Sequence, residues 1–233
     1  MYQDRVDAGR QLALALRGRP MTDPIVLGLP RGGLPVANEV ARALGAPLDV
    51  WVARKIGAPG HEELGVGAVA EGGELVLETE LLDAVGVDAS DLAEVAAVKR
   101  DEVEARARRF RDGRPPPHVA GRTVLLVDDG VANGVTARAA LRSLRRAGAT
   151  QVILAVPVGS REGLAACAPY ADAIVCPYIP SHLHSVGGHY TDFDQTTDEE
   201  VLRILVSARL RSRSAVAERE APTPPKRDLA RDA

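Results

Sequence analysis

The sequence predicts an α/β protein built on a parallel sheet with helices on both faces, and three observations carry that prediction. The first is the stretch from Val124 to Thr136, where a wholly apolar run ends on two aspartates and continues into a small-residue loop. The second is a shorter unit of the same plan, Ile25 to Leu29 followed by Pro30-Arg31-Gly32-Gly33 and a helical pattern. The third is the alternation of short apolar runs with helical patterns along most of the chain, as expected for parallel strands joined by crossover helices. A length of 233 residues allows one large domain or two small ones, and comfortably one real core.

Within the first stretch, Val124 to Val127 suit a strand buried on both faces. Asp128 and Asp129 then fall at the carboxyl end of that strand, where open α/β sheets place their ligands. Gly130 to Thr136 is a loop and Ala137 to Ala147 a helix, so main-chain N–H groups and a helix dipole converge on one point. A phosphate cup beside two carboxylates that can accept hydrogen bonds from vicinal hydroxyls suits a ribose 5-phosphate better than a nucleoside triphosphate. Three other readings compete. A surface turn with solvated carboxylates would be the default for Asp-Asp alone. A response-regulator receiver domain would carry its acidic pair near the start of the domain, with no glycine-rich loop after it. A Walker loop would need Gly-Lys-Ser/Thr, which is absent.

The run V-L-L-V-D-D-G-V-A-N-G-V-T closely resembles the phosphoribosyl pyrophosphate (PRPP) signature of type I phosphoribosyltransferases. That signature reads four apolar residues, two acidic residues, Gly, an apolar residue, a small residue, Thr, Gly, any residue and Thr. This chain departs at one place, with Asn133 where the family has Thr.

Taken in order, Asp4 to Arg17 spaces Val6, Ala8, Leu12, Ala13 and Leu16 as an amphipathic helix, broken by Gly18, Pro20 and Pro24. Ile25 to Leu29 reads as a strand and Pro35 to Leu44 as a helix ended by Gly45. The turn between them offers N–H groups and the fixed cation Arg31, and beside the Val124 stretch it resembles the family's pyrophosphate loop. Leu48 to Ala53 is the next expected strand, with Arg54-Lys55 at its carboxyl end resembling the family's basic residues that approach pyrophosphate. Ile56 to Gly67 holds four glycines and one proline and reads as a mobile loop, with His61 a solvated loop histidine. Gly65-x-Gly67-x-x-Ala70 matches a loose dinucleotide fingerprint in the wrong context, because a hairpin turn at Glu71 to Glu74 follows it. Ala68 to Ala70 and Leu75 to Leu77 are the hairpin's arms.

Ser90 to Arg111 is an expected long helix with Leu92, Val95, Ala96, Val103, Ala107 and Phe110 inward, and with Glu102–Arg106 and Glu104–Arg108 spaced for pairing. Gly113 to Pro117 leads into the central strand. Arg138, Arg142, Arg145 and Arg146 lie on the outer face of the following helix, capped by Gly148. Val152 to Val158 is a strand, Ser160 caps a helix through Ala168, and Ala173 to Cys176 is the last core strand. The segment Pro177 to Thr197 holds His182, His184 and His189, but without cysteine and with Gly187-Gly188 its spacing is not that of a closed zinc site. It resembles instead the C-terminal hood of a bacterial branch of the family. Thr197 begins a last helix with acidic residues at its positive end, and beyond Arg211 a disordered tail is expected.

A net charge of −3 with interleaved Asp and Glu argues against a nucleic-acid partner. Cys167 and Cys176 are too few for a disulfide scaffold, and Cys176 reads as a reduced core thiol. With no signal peptide and no long apolar run, a cytoplasmic protein without a membrane partner is expected.

The resemblance covers about residues 1 to 210, and the expected organisation is one domain over 1–211, with a hood at about 177–197, and a tail at 212–233. It implies a type I phosphoribosyltransferase core of about five parallel strands with helices on both faces and a small C-terminal hood. It further implies a glycosyltransferase of the pentosyl class in nucleotide metabolism, moving ribose 5-phosphate from PRPP to a nitrogen acceptor with release of pyrophosphate. The implied catalytic residues are Asp128, Asp129, Arg31 and Lys55. The implied substrate-binding residues include Gly130, Val131, Ala132, Asn133, Gly134, Val135 and Thr136, with the backbone of Val131 to Val135 and the Thr136 hydroxyl expected at the 5-phosphate, Asp128 and Asp129 at the ribose hydroxyls, and Arg31, Gly32, Gly33 and Lys55 at the pyrophosphate. Mg²⁺ would be held by the ligand's oxygens and water, with no residue assigned as its ligand. The partners implied are PRPP and a small-molecule acceptor, with a homodimer allowed. The other function class is a non-catalytic PRPP- or nucleotide-sensing regulator on the same fold. Tyr190 and Phe193 are candidates to stack on a planar base, with core packing the expected role of Phe193.

Overall fold

The computed structural model describes residues 1–58, 61–87 and 92–220, and the side chains of these except 61–64 and 215–220. Five strands form a parallel sheet in the order β2 (Leu48–Val50), β1 (Ile25–Gly28), β6 (Thr123–Val127), β7 (Gln151–Ala155), β8 (Ala173–Val175). β6 lies at the centre, with Val127 level with Gly28 on one side and Ala155 on the other. Its residues alternate between two cores. Leu125 and Val127 join the core with α1 (Arg5–Ala15), α2 (Gly33–Leu44) and α7 (Asp198–Glu220), while Val124 and Leu126 join the core with α5 (Val135–Arg146). The expected parallel sheet with helices on both faces is the architecture found.

Local chemistry sets the helix ends. The Asp4 carboxylate accepts from the Asp7 N–H at the start of α1, 2.7 Å away, and the Ser160 hydroxyl accepts from Gly163 at the start of α6 (Arg161–Cys167), 2.8 Å away. Gly45 ends α2 in the left-handed conformation that a side chain would strain. Thr197 accepts from the Glu200 N–H and so precedes α7 rather than beginning it. α7 runs to Glu220, past Arg211 where the tail was expected to start, and residues 221–233 lie outside the described part.

The region after β2 departs furthest from expectation. The strand expected over Leu48 to Ala53 is two: β2 ends at Val50, and β3 (Ala53–Ala58) starts a separate antiparallel sheet with β4 (His61–Ala70) and β5 (Glu74–Leu77). Arg54 and Lys55 therefore sit within β3, not at the end of a core strand. The stretch read as a mobile loop is mostly the β3 and β4 arms; residues 59 and 60, and the His61 side chain, lie outside the described part. Its glycines serve strand geometry instead. Gly57 and Gly65 pair where the register shifts, and a Cβ on Gly67 would come within 2.6 Å of the Val76 carbonyl. The Ala68–Ala70 and Leu75–Leu77 hairpin is as expected, closed by a 3₁₀ turn at Glu71–Gly73. A short helix, α3 (Thr79–Val85), has no counterpart among the elements expected from the sequence.

What turns the chain out of the sheet after Val50 is a buried ion pair. Arg111, at the end of α4 (Ala93–Arg111), reaches Glu71 through Nη1 at 2.6 Å and Nη2 at 3.0 Å, and also donates to the Val50 carbonyl at 2.7 Å. The Glu71 carboxylate accepts the Val52 N–H at 2.6 Å, and Ser143 of α5 donates to the Glu71 carbonyl. Burial raises the pKa of Glu71, against the pull of Arg111. The pairs expected on α4 are replaced: Glu102 meets Lys99, Arg106 meets Asp198, and Glu104 accepts from Gly72. The arginines of α5 are likewise tethers, Arg138 to Glu78 and both Arg142 and Arg146 to Glu74.

Removing one partner of a buried pair strands the other charge, at a typical loss of about 3–5 kcal/mol. Arg111→Ala is expected to lower the unfolding free energy by about that much in urea titration. Arg111→Lys should recover only part, because one ammonium cannot make the two-point contact.

Candidate active site

Two turns meet at the carboxyl ends of β1 and β6. The Leu29 N–H donates to the Val127 carbonyl at 2.8 Å, continuing the β1–β6 pairing, and Gly33 N–H turns back to the Leu29 carbonyl at 3.0 Å. The Pro30–Arg31 peptide bond between them is cis. Contact explains both glycines here. A Cβ on Gly33 would lie 2.7 Å from the Val127 carbonyl oxygen, and one on Gly32 would collide with the Asp129 carboxylate. Because Gly33 N–H is already paired, the donors left free in this turn, among the described residues, are the main-chain N–H groups of Arg31 and Gly32.

The loop after β6 is bolted to its neighbour. Val131 donates to the Val158 carbonyl at 3.0 Å, Ser160 N–H donates to the Val131 carbonyl at 2.9 Å, and the Ser160 hydroxyl donates to the Ala132 carbonyl at 2.5 Å. Gly134 takes a left-handed φ of 77°. Among the described residues, the N–H groups of Ala132, Asn133, Gly134 and Thr136 meet no protein acceptor, so four donors point out of one short arc. Val135 N–H differs: it donates to the Asn133 side-chain oxygen at 3.3 Å. The residue that departs from the family pattern therefore places a carbonyl on one of the cup's own donors.

The two carboxylates have unlike surroundings. Asp128 Oδ1 accepts the Asp129 N–H at 2.9 Å, whereas Asp129 Oδ2 accepts from Arg5 Nε at 2.9 Å. Burial, and next the Asp129 charge, push the Asp128 carboxyl well above the usual range, with Arg5 and Lys55 opposing. Burial also raises Asp129, and Arg5 opposes it most directly. Lys55, exposed on β3, is one of the two cations whose charge opposes that rise. Arg31 lies differently, with Nη1 3.9 Å from Asp198, a carboxylate that also holds Arg106 at 2.6 Å and Arg109 at 3.0 Å.

Several contributors had no signal in the sequence. Arg5 is one residue of an ordinary first helical turn, and Asp198 one of three acidic residues opening α7. Tyr190 is buried, its ring 5.5 Å from Tyr2 and 4.9 Å from Phe193, and its hydroxyl donates to the Asp129 carbonyl at 2.5 Å. That corrects the idea of Tyr190 as a base-stacking ring. The Arg5 guanidinium lies over Phe193, 3.8 Å from the ring centre. Val186 packs directly on Gly130, so segment 186–194 covers the strand end. Cys167 is buried and Cys176 half-buried, both as free thiols. Among the described residues no group of three or more His, Cys, Asp and Glu is placed to hold a metal ion, and no helix is long and apolar enough to cross a membrane.

Comparison with known proteins shows what the chain is similar to. A family model described as phosphoribosyl transferase domain matches residues 2–186. A protein provisionally named a phosphoribosyl transferase in two strains of Mycobacterium tuberculosis is 44% identical over 228 residues, covering 98% of this chain and 52% of its own length. The chain thus spans about half the length of the curated relatives it matches. The crystal structure of a protein from Thermus thermophilus superposes with a TM-score of 0.75 and 46% identity, covering 88% of this chain and 98% of that one.

Freeing the Val135 N–H should help an anion bind. Asn133→Thr is expected to leave inorganic phosphate affinity unchanged or raise it by a few fold, on the order of the 1 kcal/mol of one neutral hydrogen bond, measured by isothermal titration. Loss of phosphate binding in that variant would mean that Asn133 itself holds the anion.

Proposed function

Because the chain belongs to the phosphoribosyl transferase family, we propose that it transfers ribose 5-phosphate from PRPP to a nitrogen acceptor, a nucleobase or related heterocycle, and releases pyrophosphate. The observation that carries this reading is the arc of unpaired N–H groups at Ala132, Asn133, Gly134 and Thr136 directly after the Asp128–Asp129 pair. The arc receives the 5-phosphate, helped by the N-terminus of α5 and the Thr136 hydroxyl. Asp128 and Asp129 face the ribose hydroxyls. The Arg31 and Gly32 N–H groups, with Lys55 across the site, face the pyrophosphate; Gly33 shapes that turn through its close approach to Val127.

In this family the sugar passes through an oxocarbenium-like state while negative charge grows on the leaving pyrophosphate. Holding both ends of the ligand sets the geometry, and donors aimed at the leaving group stabilise its charge. The donor set fits Mg²⁺ only as an ion carried mainly by the ligand, since Asp128 and Asp129 are the carboxylates at hand and Asp129 is already engaged by Arg5. An ion so held would offset the pyrophosphate charge.

A second reading, a PRPP- or nucleotide-sensing regulator that does not turn its ligand over, draws on Val186 and Tyr190 lying over Gly130 and Asp129. Pyrophosphate release with a mixture of purines, pyrimidines and their precursors separates the two. Release dependent on one base supports transfer, and tight PRPP binding with no release supports the sensor.

Replacing Asp128 and Asp129 together by Asn should weaken Mg²⁺–PRPP on the order of a hundredfold or more, the loss of charge-assisted hydrogen bonds at about 1.5–3 kcal/mol each. Binding of inorganic phosphate should persist, because the loop N–H groups are untouched. Unchanged PRPP affinity in the double variant would overturn the assignment of the pair to the ribose.

A further inference from the structure

We propose that Arg5 is a positioning residue of this site, which fixes the Asp129 carboxylate and joins it to segment 186–194, so that the ribose carboxylate and its cover are assembled as one unit. The inference rests on the reading of the site given above and assigns a role to a residue from the far end of the chain. Three contacts leave the Arg5 side chain little freedom. Nε donates to Asp129 Oδ2 at 2.9 Å, Nη1 donates to the Asp194 carbonyl at 2.7 Å, and the guanidinium plane lies over Phe193 at 3.8 Å. The side chains of Arg5 and Asp129 are only 12% and 16% exposed, so the pair is held away from the screening that makes surface ion pairs weak.

Neighbouring backbone completes the clamp. Residues 2 and 3 pair with the cover itself: Tyr2 N–H donates to the His189 carbonyl and Thr191 N–H to the Tyr2 carbonyl, both at 2.9 Å, and Asp192 N–H donates to the Gln3 carbonyl at 2.9 Å. From the same cover Tyr190 donates to the Asp129 carbonyl at 2.5 Å. On its other side the Asp129 carboxylate lies against Gly32, where a Cβ would also stand 3.2 Å from Arg5 Nε. Asp129 is thus held by α1, by the cover and by the turn after β1, with the main-chain carbonyl and the carboxylate each fixed separately.

The charge logic gives the role a signature. The groups facing Asp129 are Asp128 beside it, Arg5 from α1, the Tyr190 phenol from the cover, and, through Asp128, Lys55 from β3; Arg31 turns to Asp198 instead. Arg5 is the cation in direct contact. Without it two adjacent, largely buried carboxylates repel each other, and one takes up a proton at a higher pH.

The test compares the full chain with Arg5→Gln, which keeps a donor but no charge, and Arg5→Lys, which keeps the charge. The carboxyl NMR shift of labelled Asp129 is followed through pH in all three, without ligand. The midpoint should rise in Arg5→Gln and return toward the natural value in Arg5→Lys. Mg²⁺–PRPP titration should then show Arg5→Gln losing affinity progressively as the pH falls toward the raised midpoint and little well above it, by at most about tenfold for each pH unit by which the midpoint rises, since the ligand's own titration is common to all variants. Inorganic phosphate binding and the melting temperature report on the loop and the fold. An unmoved Asp129 midpoint in Arg5→Gln overturns the proposal whatever PRPP does. An equal, pH-independent loss in both variants also overturns it, by reducing Arg5 to packing. A natural protein that binds no PRPP while the midpoint moves as expected would instead remove the function proposed above and leave the clamp standing.

Discussion

β6 is buried on both faces and paired along both edges, and the rest of the molecule follows from that constraint. Every side chain from Thr123 to Val127 is buried, and β1 and β7 take up the main-chain groups on either side. A strand so enclosed can carry no chemistry along its length, because an unpaired polar group there would be costly. Its first opportunity for charge is the carboxyl end, where Asp128 and Asp129 emerge. The loop beyond is anchored to residues 158–160 by the Val131 N–H and by its carbonyls, Ala132 to the Ser160 hydroxyl and Val131 to the Ser160 N–H, which leaves the N–H groups of Ala132, Asn133, Gly134 and Thr136 without a protein acceptor among the described residues.

A second constraint decides what flanks that end. The Arg111–Glu71 pair fixes the chain just after β2 and just after β4, with Trp51 adding a contact from its indole N–H to Ser143 at 3.3 Å. The second sheet is thereby locked over α5, with Lys55 exposed on its strand β3. A buried ion pair is weak evidence of net stability. Its use here is positional: Arg111 donates to Val50 while Glu71 accepts from Val52, so one pair of side chains satisfies the backbone where two sheets part.

The parts legible in the sequence were those whose cause is local. Four apolar residues ending in Asp-Asp announced β6 and its carboxylates, and Ser160 and Gly45 marked helix ends through capping chemistry that acts within a few residues. The glycines of 57–67 misled because composition alone does not separate a flexible loop from a bulged hairpin; the deciding fact, the Val76 carbonyl pressed against Gly67, lies on another strand. The Glu102–Arg106 spacing was sound helix logic, but Asp198 from α7 offers Arg106 a 2.6 Å contact that an exposed neighbour on the same helix does not match. Asn133 stood out as a departure, yet its bond to Val135 needed coordinates.

The least legible feature is the one that ties the site together. Arg5 and Asp129 are 124 residues apart, and Arg5 and Asp194 are 189 apart. Nothing in the pattern around Arg5 distinguishes it from Arg10 further along the same helix, which reaches only Glu39 at 3.5 Å with its side chain 69% exposed. The difference is made by the fold: α1 lies along α2 with its first turn at the sheet's carboxyl end, so Arg5 is over the site and Arg10 is not. The turn after β1 shows the same economy. Gly32 rests against Asp129 while Arg31, the residue before it, turns to Asp198, so one step along the chain separates the carboxylate at the end of β6 from the one that holds the arginines of α4. An anion entering at Arg31 and Gly32 would therefore meet a turn whose two sides are each fixed by a different carboxylate.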